Sequence, residues 1–203
     1  MGEDLFCQQD KIKEDMLHQT ENFFVKVGIG IVTPGHVMII SKKHFPSFAD
    51  LPETLNQELE QLKAQLKEKI TSLFAAPFLI EYGNCGSIVH AHIHFIPKKG
   101  ESYEIQDIME EMIYSKNTPK STVIKGNSKL CQSGDNYVNI EDNHSSYIIT
   151  GTTTEEWWDN TDYRKFFSQE IGLKGVVSWS SLTAEEKVLD EQKRKITRKL
   201  LVF

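Results

Sequence analysis

The chain has 203 residues, which is enough for one domain of ordinary size with or without an extension. Hydrophobic residues make up 39% and charged residues 26%, and the net charge of -6 argues against a general nucleic-acid-binding surface. No apolar run is long enough to span a membrane, and no signal peptide is recognisable. Because Cys7, Cys85 and Cys131 form no C-x-x-C pair, we expect a cytoplasmic protein without disulfides.

The first third of the chain predicts a hairpin. Residues 5–20 mix apolar and charged positions and indicate a short helix. Residues 23–31 are rich in β-branched and aromatic types and predict a strand that bends near its two glycines. A Thr-Pro-Gly turn at 33–35 leads into the apolar run 36–41, which predicts a second strand.

A long amphipathic helix follows, with Pro52 in its first turn, where a missing N–H costs nothing. Its apolar residues recur at steps of three and four, so only one face should pack on the rest of the protein. Residues 78–82 then predict a third strand, 83–87 a loop, and 89–96 a fourth strand. The apolar residues of the helix are Leu55, Leu59, Leu62, Leu66, Ile70 and Leu73.

Beyond residue 97 the pattern is weaker, and we expect an extension rather than an independent domain. The predicted organisation is a single domain over residues 1–203, with a core at about 5–100 and an extension at about 101–203. The extension should contain helices at 104–114 and 162–171, a short strand at 122–124, a hairpin of 137–140 with 146–150, and a final exposed helix at 183–200.

Three histidines alternate with other residues in the fourth strand: His90, His92 and His94. Since successive side chains of a strand point to opposite faces, the three imidazoles should share one face. The intervening residues 91, 93 and 95 are apolar and can pack against the long helix. Such a row of imidazoles repels itself as it protonates, so a purely structural role is a poor explanation.

A metal site is one alternative, because histidines two apart on a strand are good metal ligands. No acidic or cysteine residue near them in sequence completes a convincing set. A second alternative is nucleophilic chemistry, because a neutral imidazole carries one nitrogen with a lone pair at pH 7.

The segment His-Ala-His-Ile-His-Phe-Ile at 90–96 resembles the signature of the histidine triad superfamily. The segments at 34–36, Pro-Gly-His, and 42–44, Lys-Lys-His, resemble the conserved upstream strand and turn of that family. The resemblance covers about residues 5–100. It implies an α+β fold, in which a mostly antiparallel sheet of about five strands carries one long helix, and a homodimer with sheets joined edge to edge.

The resemblance also implies catalytic roles. The middle histidine, His92, is expected to attack an α-phosphate and form a nucleotidyl-histidine, while the backbone carbonyl of His90 orients its ring. His94 is expected to donate a proton or hydrogen bond to a phosphate or leaving oxygen. His36 lies where a supporting histidine approaches the triad.

Four further residues are candidates for substrate binding. Ser87 occupies the position of a hydroxyl that contacts the phosphate, and Gly86 stands where a glutamine is frequent. Glu81 stands where many members have an asparagine, and Lys98 belongs to a basic rim that could attract phosphate. The family's ribose-binding acidic residue is replaced by Gly28.

Some family members bind zinc through a cysteine pair, and here Asp4 and Cys7 occupy that place, so no metal or other cofactor is expected. The predicted function is hydrolysis or transfer at the α-phosphate of a nucleotide or nucleotide conjugate, without a membrane partner or general nucleic-acid binding. The alternatives are a nucleotide-binding protein without turnover and a metal site on the histidine strand.

Overall fold

The computed structural model describes residues 4–98, 105, 122–150, 164 and 180–203. The helices predicted at 104–114 and 162–171 therefore lie outside the described residues, apart from one residue of each. These described residues include eight strands: β1 (Met16–Gln19), β2 (Phe23–Val27), β3 (Val37–Ser41), β4 (Pro77–Gly83), β5 (His92–Pro97), β6 (Thr122–Lys125), β7 (Tyr137–Glu141) and β8 (Ser146–Thr150).

All eight strands belong to one antiparallel sheet with the order β1-β2-β3-β5-β4-β7-β8-β6. The predicted α+β fold with a mostly antiparallel sheet is confirmed, but the sheet has eight strands instead of about five. The difference arises because β1 precedes the predicted hairpin and the three extension strands continue the sheet beyond β4. The predicted hairpin of the extension is confirmed as β7 and β8.

The described helices are α1 (Gln9–Lys13), α2 (Asn56–Leu73) and α3 (Ala184–Leu200). Short 3-10 turns occur at Leu5–Cys7, Phe48–Asp50, Glu53–Leu55 and Ser128–Leu130. Helix α3 begins at a capping box, in which the Thr183 side chain accepts from Glu186 N and the Glu186 side chain accepts from Thr183 N. Among the described residues, no helix has the length and apolar character required to cross a bilayer.

Three sequence expectations need correction. The single helix predicted over 5–20 is a 3-10 turn, α1 and β1, because the apolar positions near residue 16 pair with β2. Strand β2 ends at Val27, before the glycines that were expected to bend it. Helix α3 is not simply exposed, since Asp190 is 2% exposed and Thr197 is fully buried.

The core lies between α2 and one face of the sheet. The predicted contact is confirmed: the apolar side chains of α2 pack in one cluster with Ala91, Ile93 and Phe95. Leu66 is fully buried there, and truncating such a leucine to alanine costs about 2–5 kcal/mol. The α2 residues in the cluster are Leu59, Leu62, Leu66 and Ile70. The three histidines, which alternate with Ala91, Ile93 and Phe95, therefore lie on the opposite face of the sheet.

The extension is joined to the core by both the backbone and charged side chains. Strand β7 pairs with β4 from Leu79 opposite Glu141 to Gly83 opposite Tyr137. Glu141 accepts hydrogen bonds from Lys63, at 2.9 Å, and from Lys67, both on α2. In the described sheet the outer strands are β1 and β6. A homodimer with sheets joined edge to edge stays a prediction, and it would have to use one of these two strands.

Candidate active site

Strand β5 lies in the middle of the sheet between β3 and β4, and it carries His92 and His94. Its register places His92 opposite Ile40 and His94 opposite Met38. His90 lies just before the strand, which begins three residues later than predicted. The side chains that pack on this face form a second apolar cluster: Phe6, Ile12, Phe24, Met38 and Ile40. The face of the sheet opposite to α2 is therefore the histidine face.

The N-terminal segment covers this face. The ring of Phe6 meets His90 and His92 edge-on, with ring centroids 5.6 Å and 5.1 Å apart. His92 is 8% exposed, His94 4% and His90 fully buried. The site is thus desolvated, so hydrogen bonds and charges act more strongly there than in water.

The tautomer of His92 follows from its hydrogen bond. Its Nδ1 lies 2.6 Å from the backbone carbonyl oxygen of His90. Because a carbonyl oxygen can only accept, Nδ1 carries the proton and Nε2 keeps its lone pair. Burial lowers the pKa of His92 to about 4, although the bond to His90 opposes this shift. The ring is therefore neutral at physiological pH and has one nucleophilic nitrogen.

His36 and His94 form a second hydrogen-bonded pair. Nε2 of His36 lies 3.1 Å from Nδ1 of His94, and both rings are buried. Burial lowers the pKa of both groups well below the usual histidine value, and the positive charge of Arg164 contributes to each shift. The predicted approach of His36 to the triad is thus present as a direct contact with its third member.

His90 faces the other way, toward the N-terminus. Its Nε2 donates to Ser41 O at 2.8 Å, and its Nδ1 lies 2.7 Å from Asp4 Oδ2. The same carboxylate oxygen lies 2.8 Å from His44 Nδ1 and accepts from the Cys7 thiol at 2.9 Å. Although partial burial raises it, the hydrogen bonds from Cys7, His90 and His44 hold the pKa of Asp4 well below its usual value.

These four residues correct the expectation that no acidic or cysteine residue completes a metal set with the triad. Ligand atoms of Asp4, Cys7, His44 and His90 all lie within 4.8 Å of one another. One thiol, one carboxylate and two imidazoles suit zinc in four-fold coordination. The hydrogen bond to Asp4 raises the pKa of Cys7 to about 11, so an ion binding there would have to displace the thiol proton. Such an ion would hold the ring of His90 and would not contact the lone pair of His92.

The candidate phosphate loop precedes β5. Gly86 is exposed and has a φ of +92°, a backbone conformation that favours glycine, and Asn84 has a φ of +53°. Ser87 is exposed on the same loop, just before the histidine strand. The sequence expectation that Gly86 and Ser87 contact substrate stays a prediction.

Glu81 does not lie in the site, and its predicted role in substrate binding is wrong. It lies opposite Ile93 in the β4–β5 pairing, so its side chain is on the α2 face of the sheet. There Oε1 accepts from Phe48 N at 2.9 Å and from the Tyr137 hydroxyl. Burial raises the pKa of Glu81 to about 7. Because successive side chains of a strand point to opposite faces, the Glu81 carboxyl lies on the face of the sheet opposite to the histidines.

Lys98 is also placed away from the triad. It follows the end of β5, roughly 20 Å along the strand from His92. Its Nζ lies 3.3 Å from Asp142 Oδ2 and 4.3 Å from the centroid of the Phe78 ring. The basic rim predicted from the sequence therefore does not include this lysine.

Two contributors, Phe6 and Arg164, were missed by sequence reasoning. Phe6 lies more than eighty residues before the triad, and nothing in its local pattern indicates that it covers the histidines. Arg164, from the extension, donates from Nε to Gly30 O at 3.1 Å and so joins the loop before β3 to a distant segment. The histidine face can therefore offer one nucleophilic nitrogen, a neighbouring imidazole, and an enclosing apolar cover.

The HIT domain family matches residues 9–101 of this chain. The chain is similar to a bis(5'-adenosyl)-triphosphatase of Dictyostelium discoideum, with 29% identity over 54% of this chain and 76% of that protein. It is also similar to an asymmetrical bis(5'-nucleosyl)-tetraphosphatase of Schizosaccharomyces pombe, with 25% identity over 64% of this chain and 74% of that protein. A solved structure of a hypothetical histidine triad nucleotide-binding protein from Sulfolobus tokodaii strain 7 covers 82% of this chain and 95% of its own, with 16% identity and a TM-score of 0.43.

Proposed function

We propose that this chain is a nucleotide hydrolase of the histidine triad family that acts at an α-phosphate, because a HIT domain matches its residues 9–101. The two named relatives are hydrolases of dinucleoside polyphosphates, which supports substrates that contain a nucleoside 5'-phosphate in anhydride linkage. A covalent nucleotidyl-histidine on His92 is the mechanism that the geometry supports best.

The observation that carries this proposal is the 2.6 Å hydrogen bond from Nδ1 of His92 to the carbonyl oxygen of His90. It keeps the lone pair on Nε2, on the buried face where a phosphate would lie. When Nε2 attacks phosphorus, the ring becomes positively charged. The same carbonyl then accepts from a more acidic N–H, so the bond strengthens as the transition state is approached.

The reaction has two displacements. In the first, a bond forms between Nε2 of His92 and the α-phosphorus, the bond from that phosphorus to the bridging oxygen breaks, and the rest of the polyphosphate leaves. In the second, water attacks the phosphorus, the P–N bond breaks with its electron pair returning to Nε2, the water releases a proton to solvent, and a nucleoside monophosphate leaves. His92 returns to its neutral state, so no other reactant is consumed.

His94 and His36 support this chemistry as a pair. With Nδ1 of His94 accepting from His36, the proton of His94 is on Nε2, which can donate to a phosphate or leaving oxygen. Burial lowers the pKa of His36, His92 and His94, so these three rings are neutral and do not repel one another at pH 7.

The test is intact mass spectrometry of the protein after brief exposure to diadenosine triphosphate. A mass increase of one adenylyl group on the wild type, absent from His92→Asn, would support the covalent step. Turnover without any adduct in rapidly quenched samples would count against it. Binding of the nucleotide by both proteins without turnover would favour a non-catalytic nucleotide-binding protein.

A further inference from the structure

We propose that helix α3 is a positioning element of the site, because its side chains hold the loop at residues 28–35 and thereby set the tautomers of His36 and His94. This inference rests on the proposed function for its catalytic consequence, although its structural part can be tested without substrate. Thr197, Asp190 and Lys193 are the positioning residues.

The helix is firmly attached to the sheet. Arg194 and Arg198 both donate to the carboxylate of Asp15, whose side chain is 2% exposed, and Lys26 Nζ lies 3.7 Å from the same carboxylate. Leu201, just after the helix, is fully buried in the core. Breaking a buried charge pair of this kind is costly, so the position of α3 relative to the sheet is well defined.

From that position three α3 side chains bind backbone groups of the loop. Ile31 N donates to Asp190 Oδ1 at 2.8 Å, and Gly35 N donates to Thr197 Oγ1 at 2.9 Å. Lys193 Nζ donates to Val32 O at 3.0 Å. Because Asp190 and Thr197 are almost completely buried, losing either partner would leave a buried backbone N–H unsatisfied.

The loop has little freedom to rearrange around these bonds. Gly35 has a φ of +88°, and a Cβ atom built on it would lie 2.7 Å from the Phe74 ring. The turn before His36 is therefore held by the helix on one side and by the core on the other. The backbone conformation of this turn therefore fixes the position of His36, the next residue.

In the hydrogen bonds that join His36 to Val32 and His94, the donor and the acceptor can be assigned from the groups involved. Val32 N lies 3.1 Å from Nδ1 of His36, and a backbone N–H can only donate. Nδ1 of His36 is thus the acceptor, and the proton of this neutral ring is on Nε2. That Nε2–H donates to Nδ1 of His94 at 3.1 Å, so the proton of His94 is also on Nε2.

The contacts of α3 with the loop therefore determine the tautomer of His36, and His36 in turn determines the tautomer of His94. If the loop loosens, Val32 N no longer holds Nδ1 of His36, and this ring can take the other tautomer. His94 then loses its donor and exists as a mixture of tautomers, in which part of the population presents a lone pair instead of an N–H to the phosphate. This change should affect the chemical step more than ground-state binding.

The test compares Thr197→Val, which keeps the shape but removes the hydroxyl, with Thr197→Ser, which retains it. Lys195→Gln, an exposed position on the same helix, is the matched neutral control. Asp190→Ala removes the acceptor of the Ile31 N–H and is used if Thr197→Val does not fold. Imidazole nitrogens are assigned by long-range proton–nitrogen NMR without substrate, and kcat, KM and Tm are measured in parallel.

We expect Nε2–H tautomers for His36 and His94 in the wild type, in Thr197→Ser and in Lys195→Gln. Thr197→Val, or Asp190→Ala in its place, should show mixed tautomers and a kcat lower by about tenfold or more, with KM within about twofold. Wild-type tautomers in these variants, or an unchanged kcat, would overturn the proposal. If the wild type hydrolyses no nucleotide, the proposed function fails, whereas the NMR comparison still decides whether α3 sets the tautomers.

Discussion

The ring of Phe6 meets the imidazole of His92 edge-on, with their centroids 5.1 Å apart. Phe6 comes from the 3-10 turn near the N-terminus, whereas His92 is the first residue of the central strand β5. This contact helps to desolvate the imidazole of His92 and so explains part of its low basicity. It also makes the N-terminal segment part of the wall of the candidate active site.

The pH dependence of kcat/KM should reflect this burial. Because burial lowers the pKa of His92 to about 4, the ring stays neutral until the pH falls to that region. Activity should therefore decline as the pH drops through about 4, when the proton occupies Nε2, and not near the ordinary histidine value of 6.5. Initial rates measured between pH 3.5 and 8 in one mixed buffer check this, and a limb near 6.5 on a fully folded protein would contradict it.

Replacing Phe6 should change the pH below which activity declines. In Phe6→Ala, water can reach His92, so its pKa should rise by on the order of one unit and the decline in activity should begin at higher pH. The control is Phe203→Ala, whose ring stacks on His18 instead of the triad. An acid limb that moves equally in both variants would point to a general loss of stability.

His92→Asn should abolish turnover while leaving the fold and most ground-state binding intact. Asparagine keeps a polar side chain for the His90 carbonyl but has no nucleophilic nitrogen, so the loss should reach several orders of magnitude. His90→Asn and His94→Asn belong in the same assay, since positioning and donating groups should cost less. A rate for His92→Asn within about tenfold of wild type, a barrier change of about 1.4 kcal/mol, is incompatible with the covalent mechanism.

Glu81 should make the folded protein less stable as the pH rises. Burial raises its pKa from 4.5 to about 7, so between these values the native state holds a proton that the unfolded chain has released. The contribution of Glu81 to the free energy of unfolding is at its full value below pH 4.5. It is lost as the pH rises through about 7, a change of about 3 kcal/mol. Glu81→Gln, which stays neutral, should show a smaller fall in Tm from pH 5 to pH 8 than the wild type.

Glu141→Gln is the matched control for that experiment. The positive charges of Lys63 and Lys67 outweigh the effect of burial and lower the pKa of Glu141. Its contribution to stability is therefore present above the unfolded pKa and lost only as the pH falls, so it is constant from pH 5 to pH 8. The Tm of Glu141→Gln should be lower than wild type by a similar amount at both pH values.

Chelation should affect stability more than catalysis. A zinc ion held by Asp4, Cys7, His44 and His90 would tie the N-terminal segment to the triad strand and raise Tm. Its removal should leave kcat within about twofold, because the proposed attacking nitrogen is on His92, which is not in the ligand set. Elemental analysis, Tm and kcat with and without chelator provide the measurement, with Cys7→Ser as the comparison. Activity that disappears with chelator and returns only with zinc would contradict this expectation.

The sequence alone determined the features that depend on local periodicity. Alternation along residues 90–96 separated the histidine face from the apolar face, and the three- and four-residue spacing of leucines predicted α2 and its packing side. These follow from strand and helix geometry, which repeats over a few residues. The choice of His92 as the candidate nucleophile came instead from the resemblance of residues 90–96 to the histidine triad signature.

Only the tertiary structure decided which distant groups meet at that row. It brought Asp4, Cys7 and Phe6 to the triad, placed Glu81 beneath the sheet, and placed Lys98 beside Asp142. It also joined α3 to the loop before His36 through Asp190 and Thr197. Contacts across more than eighty residues depend on strand order and on which buried polar groups find partners, and neither property is encoded in a local pattern.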